Sequence, residues 1–435
     1  MLKRIGFLSV LFGTLSMAVR AQDNVYPAPA TKGVTAIING TVHVGNGTVH
    51  QNGTVLFENG KISYAGTGAT VPAGAKTIDA AGAHVYPGLI LPNSRMGIME
   101  VGAGTRATND FAELGDMNPN VRSIVAYNAE SKIINTVRSN GVLLAQVVPA
   151  GGLISGTSSI VQLDAWNWED AAYHMDGGIH INLPSLLNRP NPFAAFTGAQ
   201  QSGDRLQNAL DRIETLKAYF RSAELYNKQA RPEKIDLKAE SIKGLFDKSK
   251  KLYVHCNLVK EMLIAVDFVK DFGFDVVIVG GSESYQIPDL LKKHNIPVIL
   301  AQMHSLPTMI DDDIDQPFKT PAILQKAGVL FSIGDEDSHN RGRNISFNAG
   351  TAASYGLSKE EALSAITLNT AKILGIADRT GSLEAGKDAN IVISKGDILD
   401  MRSSVITHAF IQGRAISLDD KHKQLNERYN SKYGL

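Results

Sequence analysis

Between Val34 and Ala83 apolar and polar residues alternate in short runs, VTAIING, TVHVGNG, TVLFENGKISYAG and KTIDAAGAHV, each broken by Asn-Gly or Gly. A period of two with turn residues between runs predicts a small antiparallel β unit joined by hairpin turns. Tyr86 to Leu91 is then continuously apolar, like a strand buried on both faces. The middle has another texture. VLLAQVV (142–148), SSIVQLDAW (158–166), LYVHCNL (252–258), FDVVIVG (274–280), PVILAQM (297–303) and GVLFSIG (328–334) recur as apolar runs. Helix-like stretches with three- and four-residue spacing, such as SIVAYNAESKIINTVRSN and VKEMLIAVDFVKDFG, separate several of them.

Strand followed by helix over most of the middle predicts parallel β/α architecture, most simply a barrel. The charged helical stretch from about Arg205 to Lys250 reads as an insertion on its rim. GLSKEEALSAITLNTAKILGI predicts a helix with Ser358 as N-cap and Glu361 at capping-box spacing. GSLEAGKDANIVISKG and VITHAFIQGRAI return to hairpins, so β units open and close the chain. The expected fold class is α/β: a (β/α)8 TIM-like barrel plus a small composite β-sandwich formed by both chain ends. The expected divisions are a signal peptide over 1–21, the first part of the sandwich over 22–85, the barrel over 86–376, the second part of the sandwich over 377–419 and a tail over 420–435.

Composition adds exclusions. Forty-three Lys+Arg balance 43 Asp+Glu, which argues against a nucleic-acid footprint and a polybasic membrane anchor. MLKR followed by IGFLSVLFGTLSMAV and Val19-Arg20-Ala21 has the charge, apolar run and small residues of a secretory signal cut after Ala21. A retained anchor would have a rather short span. The expected location is the periplasm or the exterior. Cys256 is the only cysteine, so no intramolecular disulfide forms and no cysteine beside the cut carries a lipid.

Three stretches carry a family resemblance. They are NGTVHVGNGTVHQNGTVLFENGKISYAG with IDAAGAHVYPGLI, then YGLSKEEALSAITLNTAKILGI, then GSLEAGKDANIVI with VITHAFIQGRAI. The chain resembles the amidohydrolase superfamily, closest to its imidazolonepropionase-like branch. The resemblance implies a barrel that hydrolyses C–N bonds of amides or dipeptides with metal-activated water. It also implies a ligand set of His-x-His after strand 1, a carboxylated Lys or a Glu on strand 4, a His on each of strands 5 and 6, and an Asp on strand 8.

This sequence departs from that set. PGLILPNSR places Asn93 and Arg95 at the His-x-His positions, and arginine has no lone pair to give. VHCN keeps His255 on strand 5, with Cys256 pointing the other way, and VVIVGG puts Gly280 at the strand-6 histidine position. SIGDEDSHNRGRN offers Asp335, Glu336 and Asp337, of which Asp337 is the expected acid and general base. No strand-4 ligand is identified. His255 and Asp337 are therefore the expected catalytic and metal residues, with His304 and His339 either helper ligands or polar rim residues. Asn93, Arg95, Glu336 and Trp166 are the expected pocket residues. The cofactor is one zinc-like divalent metal or none. Expected partners are a small-molecule or peptide-like ligand and either an amidohydrolase partner chain or further copies of this chain, with no nucleic acid and no membrane anchor.

Four other stretches attract attention. RATNDFAELGDMNPNVR (106–122) is a polar loop on the face where barrels build active sites, with Arg106, Asp110, Glu113 and Asp116 either lining the mouth or solvated. PAGGLISGTSS (149–159) could cradle an anion but lacks a P-loop lysine. Trp166 and Trp168 in DAWNWEDAAYHMDG either bind a ligand or cap the core. DDDIDQP (311–317) lacks the spacing of an EF-hand and reads as a solvated lid. An active hydrolase and an inactive relative kept as a binding or partner subunit both fit this set.

Overall fold

A computed structural model describes residues 26–100, 110–187, 205–229, 234–301, 303–309, 311–335 and 341–435. The expected signal segment, its cut after Ala21, Arg106, Glu336, Asp337 and His339 lie outside these residues.

Among the described residues sixteen strands form two sheets. The first sheet takes β1 (Thr35–His43), β2 (Val49–Glu58), β3 (Lys61–Gly66), β4 (Lys76–Asp79) and β5 (His84–Pro87) from one end of the chain. From the other end it takes β14 (Ile391–Ser394), β15 (Ile406–Ile411) and β16 (Arg414–Ala415). Its order is β16-β15-β14-β5-β1-β2-β3, with β4 beside β1, so β5 and β14 join the two halves. The sheet curls until its ends meet. The Ala389 N–H donates to the Gly60 carbonyl at 2.8 Å, and Phe57 meets Phe410 edge-on at 5.2 Å. Ile37, Val55, Ile62, Ile391 and Ile393 fill the interior.

Of the four Asn-Gly pairs between Val34 and Ala83, two fall in hairpin connections, Asn46-Gly47 lying in the loop from β1 to β2. Asn59-Gly60, both at positive φ, turns β2 into β3. Asn39-Gly40 and Asn52-Gly53 lie inside β1 and β2, and the β1–β2 pairing shifts register on either side of Gly40. The left-handed residue there makes a bulge instead of a reversal.

The second sheet is the barrel, in order β13-β12-β11-β10-β9-β8-β7-β6. Its strands are β6 (Leu89–Ser94), β7 (Val142–Val147), β8 (Ile154–Gln162), β9 (Ala172–Asn182), β10 (Lys251–Cys256), β11 (Val276–Gly280), β12 (Val298–Leu300) and β13 (Phe331–Ile333). The expected barrel and composite sheet are both present, with one correction. β8 runs antiparallel to β7 and β9, whereas the remaining pairings are parallel. The connections before and after β8 are too short for the crossover that parallel neighbours need.

A second correction concerns the segment after β9. The helix Arg205–Asn227 is no rim insertion, since it lies on the β9–β10 crossover. It buries Ala209, Ile213, Leu216, Phe220 and Ala223 at alternating four- and three-residue steps. Phe220 packs edge-on against Phe268 and Phe274 at 5.6 and 5.4 Å.

Several polar joints hold the curled sheet on the barrel, among them Tyr173 of β9 with Asp388. His43 Nδ1 lies 2.7 Å from Glu360 Oε1 at the start of the helix Lys359–Ala365. The buried Asp164 carboxylate accepts from Arg138, Arg414 and the Ala28 N–H, each at 2.8 Å. Among the described residues no helix is long and apolar enough to cross a membrane.

Candidate functional site

Five neighbouring barrel strands each contribute one member of a continuous polar chain. The Asn93 backbone N–H at the end of β6 lies 3.1 Å from Gln146 Oε1 on β7. Gln146 Nε2 lies 3.1 Å from Ser158 Oγ on β8, and Ser158 Oγ lies 2.8 Å from His180 Nε2 on β9. His180 Nδ1 then lies 2.9 Å from His255 Nε2 on β10. Asn93 reaches its place through a left-handed backbone, φ 50°, where β6 and β7 shift register. Asparagine tolerates that conformation better than most side chains.

Tyr253, two residues before His255 on the same face, stacks flat on the His180 ring at 4.6 Å. That contact and the Ser158 bond fix the ring of a fully buried histidine. Burial holds the His180 pKa well below the usual histidine value, and the neighbouring His255 lowers it further. The His255 pKa is pushed down to about 4, first by desolvation and then by the Arg95 charge. Both rings are neutral at physiological pH. Arg95 itself lies over the Phe111 ring at 5.2 Å. Cys256 faces the helix-side core and burial raises its thiol pKa, so it is a packed thiol.

His180 on the fourth barrel strand escapes the sequence reading. Its signal is the run GGIHINL, whose alternation aims one imidazole inward between apolar neighbours that face out. Gly280 ends the sixth strand at φ 101°, and a Cβ there would lie 2.6 Å from Asn257 Oδ1 and 2.9 Å from the Cys256 carbonyl. A histidine could not stand at that place without moving β10. Gly280 instead opens a recess of ≈ 170 Å³ at the strand ends, lined by Asn257, Ser282, Leu300, Thr308 and Asp312.

The other expected residues are dispersed. His304 is exposed, lies 2.8 Å from Thr351 and lines a separate groove with Asp335 and Arg341. Trp166, expected in the pocket, lies at the opposite end of the barrel, because the reversed β8 carries its C-terminus there. It is 62% exposed and packs on Tyr26 at 5.8 Å. Within the acidic run, Asp312 accepts from Tyr285 and the Met309 N–H, and Asp313 and Asp315 pair with Lys319. In the described part of the loop after β6, Ala112 bridges to Ala150 and Met117 to Ile154.

Among the described residues no three His, Cys, Asp or Glu side chains come together to hold a metal. Among the described residues, two imidazoles bonded to each other, one of them beside an arginine, supply too few donors for a divalent cation.

A barrel whose strand ends carry inward polar groups, with a composite sheet from both chain ends, defines a class of hydrolase fold. The chain belongs to the amidohydrolase family: that family's model matches residues 196–416, just over half its length. The chain is 22% identical over 378 residues to the amidohydrolase tasK of Hapsidospora irregularis, covering 79% of this chain and 37% of that protein. The chain thus spans little more than a third of the length of that relative. An 82-residue stretch, 18% of this chain and 20% of the other, is 37% identical to the imidazolonepropionase of Thermoplasma volcanium. Among solved structures, an amidohydrolase from Thermotoga maritima MSB8 superposes with TM-score 0.75 at 26% identity, over 88% of this chain and 99% of that one. A prolidase complexed with N-methylphosphonate-L-proline superposes with TM-score 0.56 at 16% identity, over 88% and 100%, a likeness of fold alone.

Proposed function

We propose that this chain hydrolyses a C–N bond in a non-peptide amide or a dipeptide, without the metal set usual at the first and sixth strands, and that it belongs to the imidazolonepropionase-like branch. The observation carrying this reading is the neutral His255 at the barrel mouth beside Arg95, at the end of a polar chain spanning five strands. Hydrolysis of an amide needs a group to stabilise the oxyanion and a base to take a proton from water. Arg95, with donors only, suits the first task. Asp337, outside the described residues, is the expected base.

A second reading is an inactive relative kept as a ligand-binding or partner subunit, and Gly280 favours it, since no ligand side chain fits there. Export with cleavage after Ala21 belongs to either reading. One preparation tests these points: protein purified from its native host without chelators or a histidine tag, analysed for metal, N-terminal residue and release of amine from a panel of amides and dipeptides. The expected protein starts at residue 22, holds no stoichiometric metal and releases amine, with Asp337→Asn inactive. Stoichiometric zinc lost together with activity in His255→Ala would overturn the metal-free reading. Metal-free protein without turnover on the panel would favour the binding subunit.

A further inference from the structure

Every proton in the five-strand chain is placed by its first member. The Asn93 backbone N–H can only donate, so the Gln146 atom 3.1 Å away is the amide oxygen. The amide nitrogen of Gln146 therefore donates to Ser158 Oγ. The Ser158 hydroxyl keeps its own proton for an acceptor, and His180 Nε2 at 2.8 Å outcompetes the Gly178 carbonyl at 3.5 Å. Accepting at Nε2, His180 carries its hydrogen on Nδ1 and donates it to His255 Nε2. His255, accepting at Nε2, carries its hydrogen on Nδ1. Protonating His255 further would leave that N–H in place. In either state the ring offers a donor at Nδ1, which has no partner among the described residues.

Arg95 adds a fixed positive charge. Among the described residues its guanidinium has no hydrogen bond and no ion pair, only the Phe111 ring against it. Carboxylates near the neighbouring strand ends are already engaged. Glu261 accepts from the Asn257, Leu258 and Leu186 N–H groups, Glu283 accepts from the Val259 N–H, and Asp335 pairs with Arg341. Among the described residues, the place that would carry a cation in a metal hydrolase therefore presents donors and a positive charge.

We infer that the barrel mouth binds a carboxylate, received by the Arg95 guanidinium and the His255 Nδ1–H. One guanidinium balances one negative charge and its fork matches a planar carboxylate, whereas a phosphate dianion would keep a charge unopposed. The ligand is a small organic acid or the C-terminal carboxylate of a short peptide. This goes beyond the hydrolytic reading, because it needs no turnover.

The test is calorimetric titration of the full chain with N-acetylglycine, its uncharged amide and inorganic phosphate, with histidine-labelled NMR alongside. The acid should bind at least about tenfold more tightly than the amide or phosphate. Arg95→Gln should weaken the acid by a similar factor, and Arg95→Lys by less. The His255 resonances, assigned through His255→Gln, should report the Nδ1–H tautomer, and Ser158→Ala should release it to a mixture. Equal binding of acid and amide, tighter phosphate, unchanged binding in a folded Arg95→Gln, or an Nε2–H tautomer in the parent protein would each overturn the inference. A protein that binds the acid but cleaves no amide would sink the hydrolytic reading and leave this one standing.

Discussion

Gly280 shows how much one missing side chain decides. Its left-handed backbone and the 2.6 Å approach of Asn257 leave no room for a Cβ. Gly280→Ala should lower stability by roughly 1–3 kcal/mol, read from urea unfolding. The buried histidine pair makes stability depend on pH. Unfolded, both rings titrate near 6.5; folded, His255 titrates at about 4 and His180 well below its ordinary value. The unfolded chain therefore gains protons that the folded chain refuses. The stabilisation is complete above pH 6.5 and declines as the pH falls toward 4, on the order of 3 kcal/mol for His255. The melting temperature should fall between pH 7 and pH 5, and His180→Gln should flatten that slope. The positions of His255 and Gly280 are legible in the sequence because each closes an unmistakable apolar run. That of His180 is not, because the strand carrying it opens in a polar, Gly-containing stretch that reads as loop.

Elements were legible where a local signal decides the outcome alone. Ser358 and Glu361 form the capping box their spacing predicts: Ser358 Oγ accepts from the Glu361 N–H at 3.3 Å and Glu361 returns a bond to the Ser358 N–H at 2.8 Å. Ser358→Ala should cost about 1 kcal/mol in chemical unfolding, and Ser358→Asp much less. The reversal of β8 was not legible, because apolar alternation carries no strand direction. Only the brevity of the two flanking connections gives it away, and that becomes visible once strand boundaries are known. The same ambiguity misplaced Trp166, whose position follows from the direction of β8 and not from its own chemistry. Two of the four Asn-Gly pairs fail similarly: the residue type specifies positive φ, and pairing decides between a turn and a bulge.

At the scale of the whole molecule, the Asp164 carboxylate ties the segment before β1, the barrel helix carrying Arg138 and the last strand together. Asp164→Ala would leave Arg138, 4% exposed, without its counter-ion. The expected loss is roughly 3–5 kcal/mol, and the curled sheet should become sensitive to protease before the barrel does. The composite architecture itself was legible because both ends of the chain carry strand patterns that neither could bury alone. That arrangement also sets a clock. β5 ends at Pro87 and waits for β14, which begins at Ile391. At ~5–20 residues per second the ribosome needs roughly 15–60 s to supply that partner. Throughout that interval the growing chain presents an unpaired strand edge, so the earliest part made is among the last to be finished, and whatever holds that edge during synthesis decides how much protein survives to fold.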